Sequence, residues 1–164
     1  APGLRLGYIY ARPPMLEKIM ARRHDAGSNY LAAAIAAEFY KGGIQAHAKA
    51  TNPVLKEKRD LTIAGLESEL SDICVWSEPV GGLFIWVRIP EDVDRKALRD
   101  MALGEGLNFL PGQSFHYQRK DVAYLRLAFG HLTFEQISAG IPILAKCIQS
   151  CRGRNERRDF DGLF

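Results

Sequence analysis

The stretch from Ala123 to Ile148 most constrains the fold of this chain. Leu125, Leu127 and Phe129 alternate with Tyr124, Arg126 and Ala128, the two-residue period of a β-strand. Thr133 and Gln136 then stand at the spacing of a capping box. Phe134, Ile137, Ile141, Leu144 and Ile148 follow at intervals of three and four, which predicts a helix with one apolar stripe. A strand feeding such a helix buries that stripe against a sheet. Pro142 falls inside the helix and is expected to kink it or remove a hydrogen bond.

Other segments repeat the theme. Cys74-Val75-Trp76 and Leu83 to Val87 read as strands joined through Val80-Gly81-Gly82, and their spacing predicts a hairpin. Asp94 is placed to cap a helix carrying Ala97, Leu98 and Met101. Leu107 to Leu110 reads as a short strand, and Pro111-Gly112 stands in the order of a type II turn. Toward the start, Leu4 to Tyr10 alternates as a strand with Arg5 on its smaller face. Helices are expected from Met15 to about Arg23 and from Asn29 to Lys41, the latter capped by Ser28 and ended by Gly42-Gly43. Asn52-Pro53 reads as a cap with proline at the first helical position. The charges Lys56 to Asp60 read as a solvated face. The order predicts an α+β fold, helices on one face of a mostly antiparallel sheet.

Composition narrows the function classes. At 164 residues the chain fits one domain, with room for an appendage. A net charge of +3 neither demands nor excludes an anionic partner. No apolar run approaches the ~20 residues that span a bilayer, and no signal peptide is read, so no membrane role and a cytoplasmic location are expected. Three cysteines do not make a disulfide framework. Cys147 and Cys151 read as small buried side chains rather than a metal pair, and no metal is expected. The tail from Arg152 is expected to be mobile; its interleaved acids speak against nucleic acid.

Arg5 and Arg126 stand out because each lies opposite the larger apolar side chains of its strand. A guanidinium among small neighbours can hold a phosphate or carboxylate through two parallel hydrogen bonds. From spacing alone, the preferred reading of either is a solvent-exposed or locally paired strand arginine.

Four motifs in order resemble class I/II aminotransferases, the pyridoxal-phosphate enzymes of fold type I. They are Pro2-Gly3-Leu4-Arg5-Leu6-Gly7-Tyr8, Pro79-Val80-Gly81-Gly82-Leu83-Phe84-Ile85-Trp86, Leu107 to Phe115 with its Pro-Gly-x-x-Phe core, and Leu125-Arg126-Leu127-Ala128-Phe129. Glu38-Phe39, Gly43, His47, Lys58-Arg59-Asp60 and Leu66 further resemble the aminoadipate-type subgroup, whose pattern is shared by aminotransferase-like domains of bacterial transcription regulators.

The resemblance implies several things. Arg5 grips the cofactor phosphate, and Arg126 pairs with the substrate α-carboxylate. The cofactor is pyridoxal 5'-phosphate, the substrates an amino acid and a 2-oxo acid, and the assembly a homodimer. Residues 1–50 form the end of a large domain with linking helices, 51–150 the small carboxyl-terminal domain, and 151–164 a tail. The lysine that holds the cofactor belongs a short distance before Pro2, and lysines 18, 41, 49, 56, 58, 96, 120 and 146 match no such position. The chain is therefore expected to be a carboxyl-terminal part, begun at Ala1 by processing or truncation, with no catalytic residue and inactive alone. The strand Leu4–Tyr10, short of sheet neighbours, is expected to be disordered, packed differently or paired with another copy. The alternative function is effector binding in a transcription regulator.

Overall fold

A computed structural model describes residues 2–24 and 27–153. The chain divides into two compact units, Ala1–Ala50 and Thr51–Phe164.

In the first unit a short 3-10 helix, Pro2–Leu4, is followed by helices α1 (Pro13–Met20) and α2 (Tyr30–Lys41). Leu4–Tyr10 forms no strand, although its side chains alternate as one would. A strand exists only through hydrogen bonds to a neighbour, and among the described residues none pairs with this segment. Tyr8 and Tyr10 stand almost fully exposed. Helix α1 starts at Pro13 rather than Met15, because proline suits the first turn. Helix α2 is capped by Asn29, not Ser28: its side chain accepts a hydrogen bond from the Ala32 N–H at 3.0 Å. Gly43 adopts φ 85° just past the helix end, a conformation that glycine reaches without strain.

Helix α3 runs from Ile44 to Leu70, so Pro53 sits in a helix interior rather than at a start. The ring removes one hydrogen bond to the carbonyl four residues back. Pro53 and Lys49 are both exposed, so the freed carbonyl is on the side open to water.

The second unit holds a four-stranded antiparallel sheet in the order β1-β2-β4-β3. Its strands are β1 (Val75–Trp76), β2 (Phe84–Arg88), β3 (Leu110–Pro111) and β4 (Tyr124–Ala128). Helix α4 (Arg95–Gly104) lies between β2 and β3 in sequence, and helix α5 (Phe134–Ser150) follows β4. The expected β1–β2 hairpin forms. Strand β3 is shorter and later than the Leu107–Leu110 expected, and Pro111-Gly112 opens a 3-10 helix, Gly112–Ser114, rather than a type II turn.

The core lies behind one face of this sheet. Ile85, Val87, Leu125 and Phe129 pack with Leu66 and Leu70 of α3, Leu98 of α4, and Ile137, Leu144 and Ile148 of α5. Each such side chain contributes roughly 1.5–3 kcal/mol when fully buried. Cys74, Cys147 and Cys151 are buried in the same core. Both hydrogen bonds of the Thr133–Gln136 capping box are present. Pro142 lies on the exposed side of α5, away from the packed stripe. The Asp94 side chain caps α4 through the N–H groups of Lys96 and Ala97. Beyond α5, Arg152 forms a backbone bridge with Val93 and an ion pair with Asp92 at 3.1 Å. The rest of the tail, from Arg154, lies outside the described residues. No helix of the described residues is long and apolar enough to cross a membrane.

The charge run on α3 is more than a solvated face. Lys58 donates to the Gly130 carbonyl at 3.3 Å, and Arg59 donates to the Pro79 carbonyl at 3.1 Å. Both side chains bind the helix to loops that flank the sheet.

Candidate functional site

Strand β4 is hydrogen-bonded on both sides, and Arg126 sits opposite Trp86 of β2 and Leu110 of β3. Strand alternation sends Leu125 into the core and leaves Arg126 on the other face with Tyr124. Phe84 and Trp86 of β2 share that face, because Ile85 and Val87 are the buried positions of β2. Trp86 stacks on Tyr124 with ring centroids 5.4 Å apart and meets Phe115 edge-on at 5.5 Å.

The Arg126 guanidinium rests on two rings. Its Cζ lies 3.9 Å from the centroid of Phe84 and 4.6 Å from that of Phe115. Cation–π contacts of this kind contribute about 0.5–2 kcal/mol. Nε is buried and has no hydrogen-bond acceptor among the described residues. Among the described residues no carboxylate pairs with Arg126. A buried donor left without an acceptor costs about 1–3 kcal/mol.

Phe115 reaches Arg126 from the loop after β3, and Gly112 sets that loop's path. A Cβ at Gly112 would lie 2.7 Å from Cγ2 of Val122 and 2.9 Å from Cβ of Tyr124. Only glycine allows the loop backbone to lie this close to β4. The Phe115 N–H donates to the Gly112 carbonyl at 2.9 Å. Gln113 donates to the Arg119 carbonyl, and Arg119 to the Ser114 carbonyl, which closes the loop on itself.

Arg5 lies in the first unit and is exposed, with φ 51°. It lines a depression of about 660 Å³ together with Arg23, Ser28 and Asn29. Among the described residues it has no ion pair or hydrogen bond.

Sequence reasoning singled out the two arginines and missed the rings beneath one of them. The signal was present: Phe84 stands in the Gly-Gly-Leu-Phe motif, and Phe115 ends the Pro-Gly-x-x-Phe motif. The strand period places Phe84 and Trp86 on one face; the cross-strand register that brings Arg126 to that face is a tertiary fact.

Comparisons with known proteins place the chain among related sequences and structures. The aromatic-amino-acid aminotransferase 1 of Thermococcus litoralis is 32% identical over 152 residues, covering 91% of this chain and 36% of that protein. The HTH-type transcriptional regulator YdfD of Bacillus subtilis is 30% identical over 157 residues, covering 94% of this chain and 32% of the regulator. Among solved structures, the α-aminoadipate aminotransferase LysN of Thermus thermophilus, complexed with N-(5'-phosphopyridoxyl)-L-leucine, superposes with a TM-score of 0.78 at 27% identity. The superposition covers 92% of this chain and 39% of LysN. The chain thus spans about a third of the length of the curated relatives it matches. The family described as Aminotransferase class I and II matches residues 1–141. The fold, the order of the motifs and this match over most of its length agree: the chain belongs to the class I and II aminotransferase family.

Proposed function

We propose that this chain is the carboxyl-terminal part of an aminotransferase that moves an amino group from an α-amino acid to a 2-oxo acid. Residues 1–50 close a large domain and supply linking helices, 51–150 form the small domain, and 151–164 are a tail. The observation that carries the reading is Arg126: a guanidinium on an inner strand of the sheet, close to two aromatic rings and without an acid partner among the described residues. Its proposed role is to bind the substrate α-carboxylate. A planar fork of N–H donors holds a carboxylate in one plane, which orients the α-carbon substituents for bond cleavage.

Pyridoxal phosphate is the cofactor of this family. The first unit offers a donor set suited to its anionic end: Arg5 is exposed, lacks an ion pair among the described residues and lines a depression with Arg23, Ser28 and Asn29. Arg5 is proposed to hold the phosphate. When bound, the cofactor ring accepts the electron pair released at the substrate α-carbon. The lysine that holds the cofactor is read as lying outside these 164 residues, because the lysines present match no position of the family motif. The working assembly is proposed to be a cytoplasmic homodimer.

A ketoacid-coupled assay of the cofactor-loaded enzyme tests the assignment. Arg126→Lys is expected to lower kcat/KM by about 10- to 100-fold, the worth of a hydrogen bond to a charged group. An unchanged kcat/KM refutes it. Titrating the chain alone with pyridoxal phosphate tests the position of the lysine; a lysine-dependent absorption band would overturn that part.

A second reading is favoured by the similarity to YdfD. In it the chain binds an amino-acid-like effector within a transcription regulator. A winged-helix segment encoded upstream of Ala1, together with no turnover by the whole protein, would select this reading.

A further inference from the structure

The arrangement around Arg126 carries one step more, which rests on the reading of Arg126 as a carboxylate grip. We propose that Phe84 and Phe115 are positioning residues that present Arg126 to the ligand end-on, through its two terminal nitrogens, and close off Nε.

Three observations combine. First, the two rings come from different parts of the chain, β2 and the loop after β3, yet both lie within stacking distance of Cζ. Two rings this close to Cζ restrict where the side chain can turn. Second, Nε is buried without an acceptor among the described residues, so it cannot take a ligand oxygen in this arrangement. Third, neither terminal nitrogen is among the buried unpartnered atoms, and Arg126 makes no hydrogen bond or ion pair among the described residues. The terminal edge is therefore the open one. An arginine side chain otherwise has ample rotamer freedom, and ordering it at the moment of binding weakens binding. Two rings that hold the plane beforehand remove part of that cost. The ligand class follows: a planar carboxylate that approaches along the guanidinium plane.

The test uses the full chain and propionate as probe, read by nitrogen NMR of arginine side chains. In the unmodified chain, the Arg126 Nε–H is expected to exchange slowly with water, and propionate is expected to shift the terminal nitrogens. Phe84→Leu and Phe115→Leu are each expected to speed Nε–H exchange and weaken propionate about three- to tenfold. Phe84→Tyr and Phe115→Tyr, which keep a ring, are expected to restore both. If the leucine variants leave Nε–H exchange unchanged, the clamp is refuted and the carboxylate reading stands. If Arg126→Lys binds propionate as the unmodified chain does, the carboxylate reading is refuted and the proposal falls with it. Should a leucine variant fail to fold, the unmodified chain still decides, because fast exchange at its Arg126 Nε–H overturns the proposal alone.

Discussion

Arg59 of α3 donates a hydrogen bond to the main-chain carbonyl of Pro79, 20 residues ahead in sequence, at 3.1 Å. The contact ties the helix to the loop that leads into β2. Its side chain is 23% exposed and also meets Asp60. Arg59→Met should cost about 1–2 kcal/mol, since it removes a charge-assisted bond from a partly shielded carbonyl. Urea unfolding followed by helix signal measures it; a midpoint within error of the unmodified chain would show the bond to be inert.

Gly112 makes a sharper prediction. An added methyl would strike Val122 and Tyr124 at 2.7 and 2.9 Å, and the Tyr124 contact includes backbone oxygen at 3.1 Å. Gly112→Ala should destabilise by about 1–3 kcal/mol, the usual range for overpacking. It should also move Phe115 and so alter the near-ultraviolet dichroism of Trp86, which touches that ring. Loss of stability with no spectral change would mean that the strain is absorbed elsewhere.

The capping box offers a cleaner local test. Thr133 accepts from the Gln136 N–H at 3.2 Å, and Gln136 accepts from the Thr133 N–H at 2.9 Å. Thr133→Ala should cost about 1 kcal/mol. In a double-mutant cycle, Gln136→Ala should then add less than it does alone, because each substitution removes half of one reciprocal pair.

Cys74 sets a pH dependence. Burial raises its thiol from the ordinary 9.0 to about 11, with nearby Arg152 opposing. A thiol raised in the folded state favours folding while protonated. That contribution is complete below pH 9 and is lost as the pH climbs toward 11. The urea midpoint should therefore fall more steeply over that window in the unmodified chain than in Cys74→Ala. Parallel curves would show that the thiol titrates alike in both states.

How much of this was legible in the sequence depended on range. The strand Tyr124–Ala128 and the helix Phe134–Ser150 were readable because period, cap and apolar stripe all act locally. Asp94 as a cap was readable for the same reason. Asn52-Pro53 misled because the same dipeptide that opens a helix can also ride inside one where its freed carbonyl meets water. Leu4–Tyr10 alternates as a strand does, and the expectation that it lacks sheet neighbours agrees with its forming no strand among the described residues. Lys58 and Arg59 looked solvated because their acceptors, the carbonyls of Gly130 and Pro79, are distant in sequence and carry no side-chain signature. The pairing of Arg126 with Phe84 and Phe115 was hidden likewise, since it needs both the β2–β4 register and the path of the loop through Gly112.

The placement of Arg126 on a strand bonded along both edges has a mechanical consequence. Its backbone cannot be swung on a hinge or slid along a neighbour without breaking two ladders at once. Any displacement of the group must carry the whole sheet and the helices behind it as one rigid lever. The Cα of Arg126 is thus a fixed point in this unit, and in the proposed carboxylate-binding role adaptation to ligands of different size falls to the surrounding loops.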